Sequence, residues 1–339
     1  MRNHEVTTKQ RLLDEQGQVA EPGWSRQLLQ EYRREDIKAP KFRIKEWDYY
    51  LVTSQDIGIA MTIGDLGYIG MESASFLDFK NKREHTESVI PLMPMGKMKM
   101  PAHSGSGECE YKDARVHLKA AVENGVRHLT CDFKRFDGDK DLRFDIVLAQ
   151  PEMDTMVIAT PWDKKHHFYY NQKVNCLPAE GWVEYGGERY EFHPESDFAT
   201  LDWGRGVWTY DNIWYWGTGN GLVDGKPFGL NIGYGFGNTS AASENLVIYD
   251  GKAHKLDDIT CHIQGKEYLK PWRITSSDGR FEMDFEPILD RAAKTDLKII
   301  MSDQHQVFGY LTGTVILDDG SKLQLNRFLC GVEVVRNRY

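Results

Sequence analysis

From Phe42 onward the apolar positions of this chain fall in short aromatic and β-branched runs separated by turn residues, which is the texture of strands rather than helices. Trp47 to Val52 and Ile57 to Ile63 read as the first two strands, and Met71 to Phe79 and Arg115 to Ala121 continue in the same style. The pairs Gly186-Gly187, Asp224-Gly225, Asp250-Gly251, Asp278-Gly279 and Asp319-Gly320 each sit between strand-like runs. Such pairs supply the positive φ that tight hairpins demand, and a two-residue turn joins antiparallel neighbours only. One stretch predicts a short N-terminal helix: Leu28, Leu29 and Tyr32 recur at helical spacing between Arg26 and Arg34, with Ser25 as N-cap. Many hairpins with hardly any helix predict an all-β protein made of antiparallel barrels or sandwiches.

One segment breaks the texture. Pro91 to Gly107 sets Met93, Met95, Met98 and Met100 among prolines, ahead of Ser104-Gly105-Ser106-Gly107. It predicts a long connection, either a plain surface loop or a lid over a ligand, since methionine adapts to irregular apolar shapes.

Composition narrows the function classes. With 40% apolar and 27% charged residues the chain has the balance of a folded soluble protein. Its net charge of −9, spread along the sequence, offers no basic face for phosphate contacts and argues against a nucleic-acid partner. No apolar stretch is long enough to span a bilayer. The five cysteines are scattered and never paired as C-x-x-C, which fits free thiols in a reducing compartment, and Met1 to Gln18 lacks the apolar core of a signal peptide. A cytoplasmic location is expected.

Several kinds of site are poorly supported. Gly217-Thr218-Gly219-Asn220-Gly221 and Gly233-Tyr234-Gly235-Phe236-Gly237 have strands on both flanks, whereas a dinucleotide fingerprint opens a helix. His166 and His167 are adjacent, so on a strand they point apart, and no H-E-x-x-H or paired-cysteine spacing exists. No G-x-S-x-G elbow is present. Neither a metal nor an organic cofactor is expected.

What remains is an acid among rings. Asp202 is followed by Trp203, Arg205, Trp208 and Tyr210, then by Trp214 and Trp216. On a strand Asp202 and Gly204 share one face, and Trp203 and Arg205 the other. A carboxyl walled by indoles loses hydration and its pKa rises towards the range of a general acid; alternatively Asp202 pairs with an arginine and orders a corner of the fold. Glu244 with Asn245, His305 ahead of the last hairpin, and His167, Tyr169 and Asn171 at alternating positions are further polar candidates. For each alone, an ordinary hydrogen-bonded strand residue is the simpler reading.

These residues also carry a resemblance. Asp202-Trp203-Gly204-Arg205-Gly206-Val207-Trp208, the run Gly229 to Gly237 containing Asn231, Glu244-Asn245 and His305-Gln306-Val307-Phe308-Gly309 resemble the signature blocks of the domain-of-unknown-function 2804 family. Leu12-Leu13-Asp14, Gly23-Trp24 and Arg43 to Asp48 fit the same family. More distantly, Gly181-Trp182-Val183, Tyr190-Glu191-Phe192, Asp202-Trp203-Gly204 and the ending Gly331-Val332-Glu333 resemble the hydroxyneurosporene-synthase and carotenoid-hydratase superfamily. That superfamily implies two packed lipocalin-like barrels with a ligand site near their junction, and it includes hydratases, cyclases and lipid-handling proteins. Fold carries over between such relatives far better than reaction does.

The resulting expectation is two lipocalin-like antiparallel β-barrels, residues 1–197 and 198–339. The expected function is cofactor-independent acid–base chemistry, of hydratase, isomerase or cyclase type, on a small lipophilic substrate. Asp202 would supply the proton and Arg205 would orient the substrate, with Glu244 and His305 as further catalytic candidates. Trp203, Trp208, Tyr210, Trp214, Trp216, His167, Tyr169, Asn171, Asn231 and Asn245 would line the cavity. The alternatives are a glycoside-active enzyme using Asp202 and Glu244 as its carboxylate pair, and a binding protein without catalysis.

Overall fold

In a computed structural model that describes residues 2–296 and 301–338, strands dominate from end to end, and the only helical turns described are the short 3-10 segments Arg34–Asp36 and Lys41–Arg43. A first, 13-stranded sheet follows the hydrogen-bonded order Arg83–Val89, Gly70–Asp78, Ile57–Asp65, Ile44–Thr53, Phe198–Val207, Phe168–Tyr185, Lys140–Ala149, Val126–Asp137, Val116–Glu123, Gly107–Lys112. Met156–Pro161, Gly23–Ser25 and Glu188–Phe192 pair beside this path. A second, 9-stranded sheet runs Lys252–Lys255, Leu246–Tyr249, Lys226–Tyr234, Asp211–Val223, Lys322–Arg338, Met301–Ile316, Phe281–Asp296, Trp272–Ser276, Ile259–His262. Each sheet curls into a half-barrel, which is the all-β, lipocalin-like architecture expected.

The turn chemistry does its predicted work. Asp224 and Gly225 (φ 50° and 75°) join Val223 to its partner Lys226, and Asp250 and Gly251 (φ 51° and 77°) join Tyr249 to Lys252. Positive φ at both central residues is the type I′ geometry whose twist matches paired strands.

The N-terminal helix is a correction. Gly23–Ser25 is a strand on the Met156–Pro161 edge, Gln30–Glu31 pairs in parallel with Gln10–Arg11, and no α-helix lies among the described residues. The spacing of Leu28, Leu29 and Tyr32 reflects packing instead: Tyr32 is buried, donates a 2.7 Å hydrogen bond to Glu46 Oε1 and meets the Trp203 ring edge-on at 6.2 Å. An isolated nine-residue helix is marginal on its own, so tertiary contacts decide. Phe198–Val207 pairs with Ile44–Thr53 and Phe168–Tyr185 of the first sheet, and the second sheet begins in sequence at Asp211.

Three apolar clusters follow from this arrangement. One fills the first barrel, around Phe133, Phe144, Tyr170 and Trp203, and one fills the second, around Phe228, Ile274, Phe285 and Leu311. The third lies between the sheets and joins Tyr49, Leu51 and Tyr169 to Trp208, Trp216, Phe236, Leu246 and Phe308. Phe198–Val207 is therefore buried along its whole length, with one face in the first barrel and the other at the junction. Strands covered on both faces lose the polar half of the alternation. No helix of the described residues is long and apolar enough to cross a membrane.

Candidate functional site

Strand parity sorts the Asp202 block into two environments. Asp202 faces the junction. Its Oδ2 accepts from Lys173 Nζ at 2.7 Å, and its Oδ1 accepts from Asn171 Nδ2 at 2.7 Å and Trp47 Nε1 at 3.2 Å. Lys173 and Asn171 are two apart on Phe168–Tyr185, directly across from Phe198–Val207 in the register Lys173 with Asp202 and Asn171 with Gly204. Gly204 has no side chain for a specific reason: a Cβ there would stand 2.0 Å from Trp47 Cζ2. The missing side chain lets the Trp47 indole lie across the strand and reach Asp202.

Two glutamates complete the cluster, Glu333 on the second-sheet strand Lys322–Arg338 and Glu244 in the segment just ahead of Leu246–Tyr249. Glu244 Oε2 accepts from Tyr169 Oη at 3.3 Å, while its buried Oε1 has no hydrogen-bond partner. Glu333 Oε1 accepts from Trp214 Nε1 at 2.8 Å. Burial pushes the Glu244 carboxyl up to about 7; the neighbouring Asp202 adds to the rise, and Lys173 and the Tyr169 hydroxyl oppose it. Burial likewise pushes Glu333 up to about 7, with Trp214 and Lys173 opposing and Asp202 adding. Behind Glu244, Lys255 donates to the Ser243 carbonyl at 2.6 Å, and burial lowers its ammonium to about 7. Lys173 lies 4.3 Å above the Trp216 ring, a cation–π contact.

Of the other residues singled out from sequence, Trp208, Trp214, Trp216 and Tyr169 belong to this junction. Tyr169 stacks on Phe236 at 5.0 Å, and Trp208 meets Trp214 at 5.1 Å. Asn231 accepts from Trp216 Nε1 at 2.7 Å and donates to the Glu244 carbonyl at 2.8 Å, so it positions both. Asn245 is tied up with backbone, accepting from the Gly233 amide at 2.6 Å. Arg205 and Trp203 lie apart from Asp202, inside the first barrel, where Arg205 pairs with Asp48 at 3.0 Å. His305 pairs with Asp290 at 2.8 Å and lies against Tyr268 at 4.1 Å. His167 turns to the Lys165 carbonyl, and Tyr210 is 46% exposed.

Lys173, Glu333 and Trp47 were missed. Lys173 continues the Tyr169–Asn171 alternation by one more step, so parity alone points to it. Among the described residues no group of three or more His, Cys, Asp or Glu side chains could hold a metal ion.

The buried carboxyls leave a signature in stability. Glu244 titrates near 7 in the folded chain and near ~4.3 when unfolded. Its stabilising share is therefore fully present below the unfolded value and is lost as pH rises through 7. Lys255, lowered, acts above that window, between about 7 and its unfolded value near ~10.4. Between pH 4.5 and 7 the wild type should lose stability as pH rises. Glu244→Gln should flatten part of that fall, gaining about 3 kcal/mol at pH 7.5 and nothing at pH 4. Urea denaturation across pH reads this directly, and parallel curves for the two proteins would rule it out.

Fold and site together define a two-sheet, lipocalin-like β protein with a buried acid–base cluster at its junction. The chain belongs to the family described as a domain of unknown function, DUF2804, whose model matches residues 3–339. No protein of curated function matches the sequence. Among solved structures, a protein from Nitrosomonas europaea described as AttH is similar over 91% of this chain and 96% of its own, at 11% identity and TM-score 0.55. Kievitone hydratase from Nectria haematococca is similar over 98% of each chain, at 10% identity and TM-score 0.51. CghA in complex with Sch210972 is similar over 96% of this chain and 97% of its own, at 10% identity and TM-score 0.50. At such identities the likeness is one of fold.

Proposed function

We propose that this protein is an acid–base enzyme of the hydratase, isomerase or cyclase kind, acting on a small lipophilic substrate at the junction of its two sheets. Glu244 is the proton donor. The observation that carries this is its carboxyl: buried, held near 7, and with one oxygen unpartnered. A group with a pKa near the working pH is the most effective general acid. Asp202, first expected in that role, has both oxygens occupied by Lys173, Asn171 and Trp47 and serves as the fixed counter-charge. Trp208, Trp214 and Trp216 present rings whose negative faces stabilise a developing cation. That a fold neighbour is a kievitone hydratase is in keeping with this reading.

Glycosidase chemistry fits less well, since beside the Glu244 acid it needs a second carboxylate, Asp202, free to attack or to activate water, and both Asp202 oxygens are engaged.

The test is exchange and hydration in D2O. Purified protein is incubated with a panel of isoprenoid alkenes and conjugated enones, and products are read for gain of deuterium or water by mass spectrometry. Turnover should fall by about 10²–10⁴ in Glu244→Gln, with the fold retained and, at pH 7.5, strengthened. Undiminished turnover in that variant refutes Glu244 as donor. A lipid bound and released unchanged by the wild type would mark a binding protein instead.

A further inference from the structure

The inward face of the first barrel carries charged groups that the junction chemistry does not use. Arg127 sits on Val126–Asp137 in line with Leu129, Cys131 and Phe133, Glu72 in line with Ala74 and Phe76, and Asp48 in line with Tyr50 and Val52. Period-2 alternation aims all three into the barrel, together with Arg205. Arg127 is 1% exposed, yet among the described residues no carboxylate pairs with it, and its Nε and Nη1 have no hydrogen-bond partner. Glu72 is 0% exposed with both oxygens unpartnered, and Arg205 Nε is also unpartnered. Among the described residues Asp48 is the one carboxylate whose charge Arg127 feels, and it is already paired with Arg205 at 3.0 Å, so two buried guanidinium groups share a single direct counter-ion. A buried guanidinium with no anion of its own is costly, and the arrangement has room for a second one.

What now covers these groups is the methionine-rich segment. Pro101 O accepts from Arg205 Nη2 at 2.8 Å, Ser104 O accepts from Arg127 Nη2 at 3.2 Å, and the Ser104 hydroxyl donates to Gln172 Oε1. Met100 is seated in the barrel's apolar cluster. The same segment holds three non-glycine residues in the left-handed region, Met93 at φ 54°, Met95 at 46° and Lys99 at 53°. For residues other than Gly, Asn and Asp such conformations are strained, and they cluster at ligand clamps and switch segments. Leu92, at its stem, is 79% exposed.

We propose that the first barrel is a binding site for a small lipophilic carboxylate, whose head group replaces the Pro101 and Ser104 carbonyls on Arg205 and Arg127. The residues from Pro91 to Gly107 are the strap that occupies this place until the ligand arrives, with Met100 standing where the ligand's apolar part goes. A guanidinium with two free N–H groups suits a carboxylate's two oxygens. Glu72 supports the match, because burial pushes its carboxyl up to about 9, so near neutrality it offers a hydroxyl and no competing charge.

Calorimetric titration of the full chain with octanoate, 1-octanol and inorganic phosphate tests the proposal. Octanoate should bind at least tenfold more tightly than either of the others, and amide exchange across residues 91–107 should change on its addition. Arg127→Met should abolish the preference for octanoate over octanol. If that variant does not fold, Arg127→Lys keeps the charge but loses the fork and should weaken octanoate by several-fold. Equal binding of octanoate and octanol, phosphate binding as tight as octanoate, or an octanoate affinity indifferent to both variants would each overturn it. Glu244→Gln should leave octanoate binding untouched, so failure here and failure of the junction chemistry are separately visible.

Discussion

Replacing Lys173 with methionine is expected to destabilise the fold by about 3–5 kcal/mol, because it strands a buried carboxylate. The ammonium is 2% exposed, lies 2.7 Å from Asp202 Oδ2 and rests on the Trp216 ring. Methionine fills a similar volume over that ring, so packing is largely kept and the charge is what is lost. Asp202 then shares the junction with Glu244 and Glu333 and no ammonium beside it. Urea denaturation at pH 7 measures the loss. The double variant Lys173→Met with Asp202→Asn should recover most of it, giving a coupling of at least about 2 kcal/mol, since residues in one ion-paired network are not additive. A single-variant loss below about 1 kcal/mol, the range of an exposed pair, would mean that the ion pair does not organise the junction.

The sequence made the strands and turns legible because hairpin chemistry is local: Asp224-Gly225 and Asp250-Gly251 specify their own backbone. Period-2 parity was legible too, and it separates Asp202 and Gly204 from Trp203 and Arg205 just as the barrels do. What parity could not give was the partner across the junction. Glu333 reaches the cluster through its register opposite Trp216, on a strand far away in sequence. Lys173 escaped notice because a lysine on a strand usually marks the solvent face, and only a strand buried on both sides reverses that reading. Trp47 was hidden for a similar reason. Its role rests on Gly204, which looks like a flexible position until a ring is seen lying on it. The helix expected at Arg26 to Arg34 failed because three apolar residues at helical spacing cannot outweigh strand pairing and the burial of Tyr32.

Gly204→Val should be among the most damaging single changes in the protein, costing about 3 kcal/mol or more, at the upper end of overpacking losses. A Cβ at 2.0 Å from Trp47 Cζ2 and 2.1 Å from Cε2 cannot be accommodated by a small shift. Tyr169 stacks beside the ring at 6.5 Å and Trp208 meets it at 5.8 Å, so the half-buried indole can yield only outward, away from Asp202. Moving the indole also removes its hydrogen bond to Asp202, so the proposed junction chemistry should fail along with stability. Gly64 provides the control: it lies opposite Trp47 on the neighbouring strand, and its added Cβ would meet nothing nearer than 3.5 Å. Gly64→Ala should therefore stay within about 1 kcal/mol of the wild type, since neither overpacking nor a special φ applies there. Comparable losses at the two glycines would mean that this part of the sheet rejects any added side chain, and that the seat of the Trp47 ring is not what calls for glycine in the Asp202 block, since lost backbone entropy alone would favour the substituted chains. A loss confined to Gly204 ties that block to the placement of the indole, and through the indole to the carboxylate it touches.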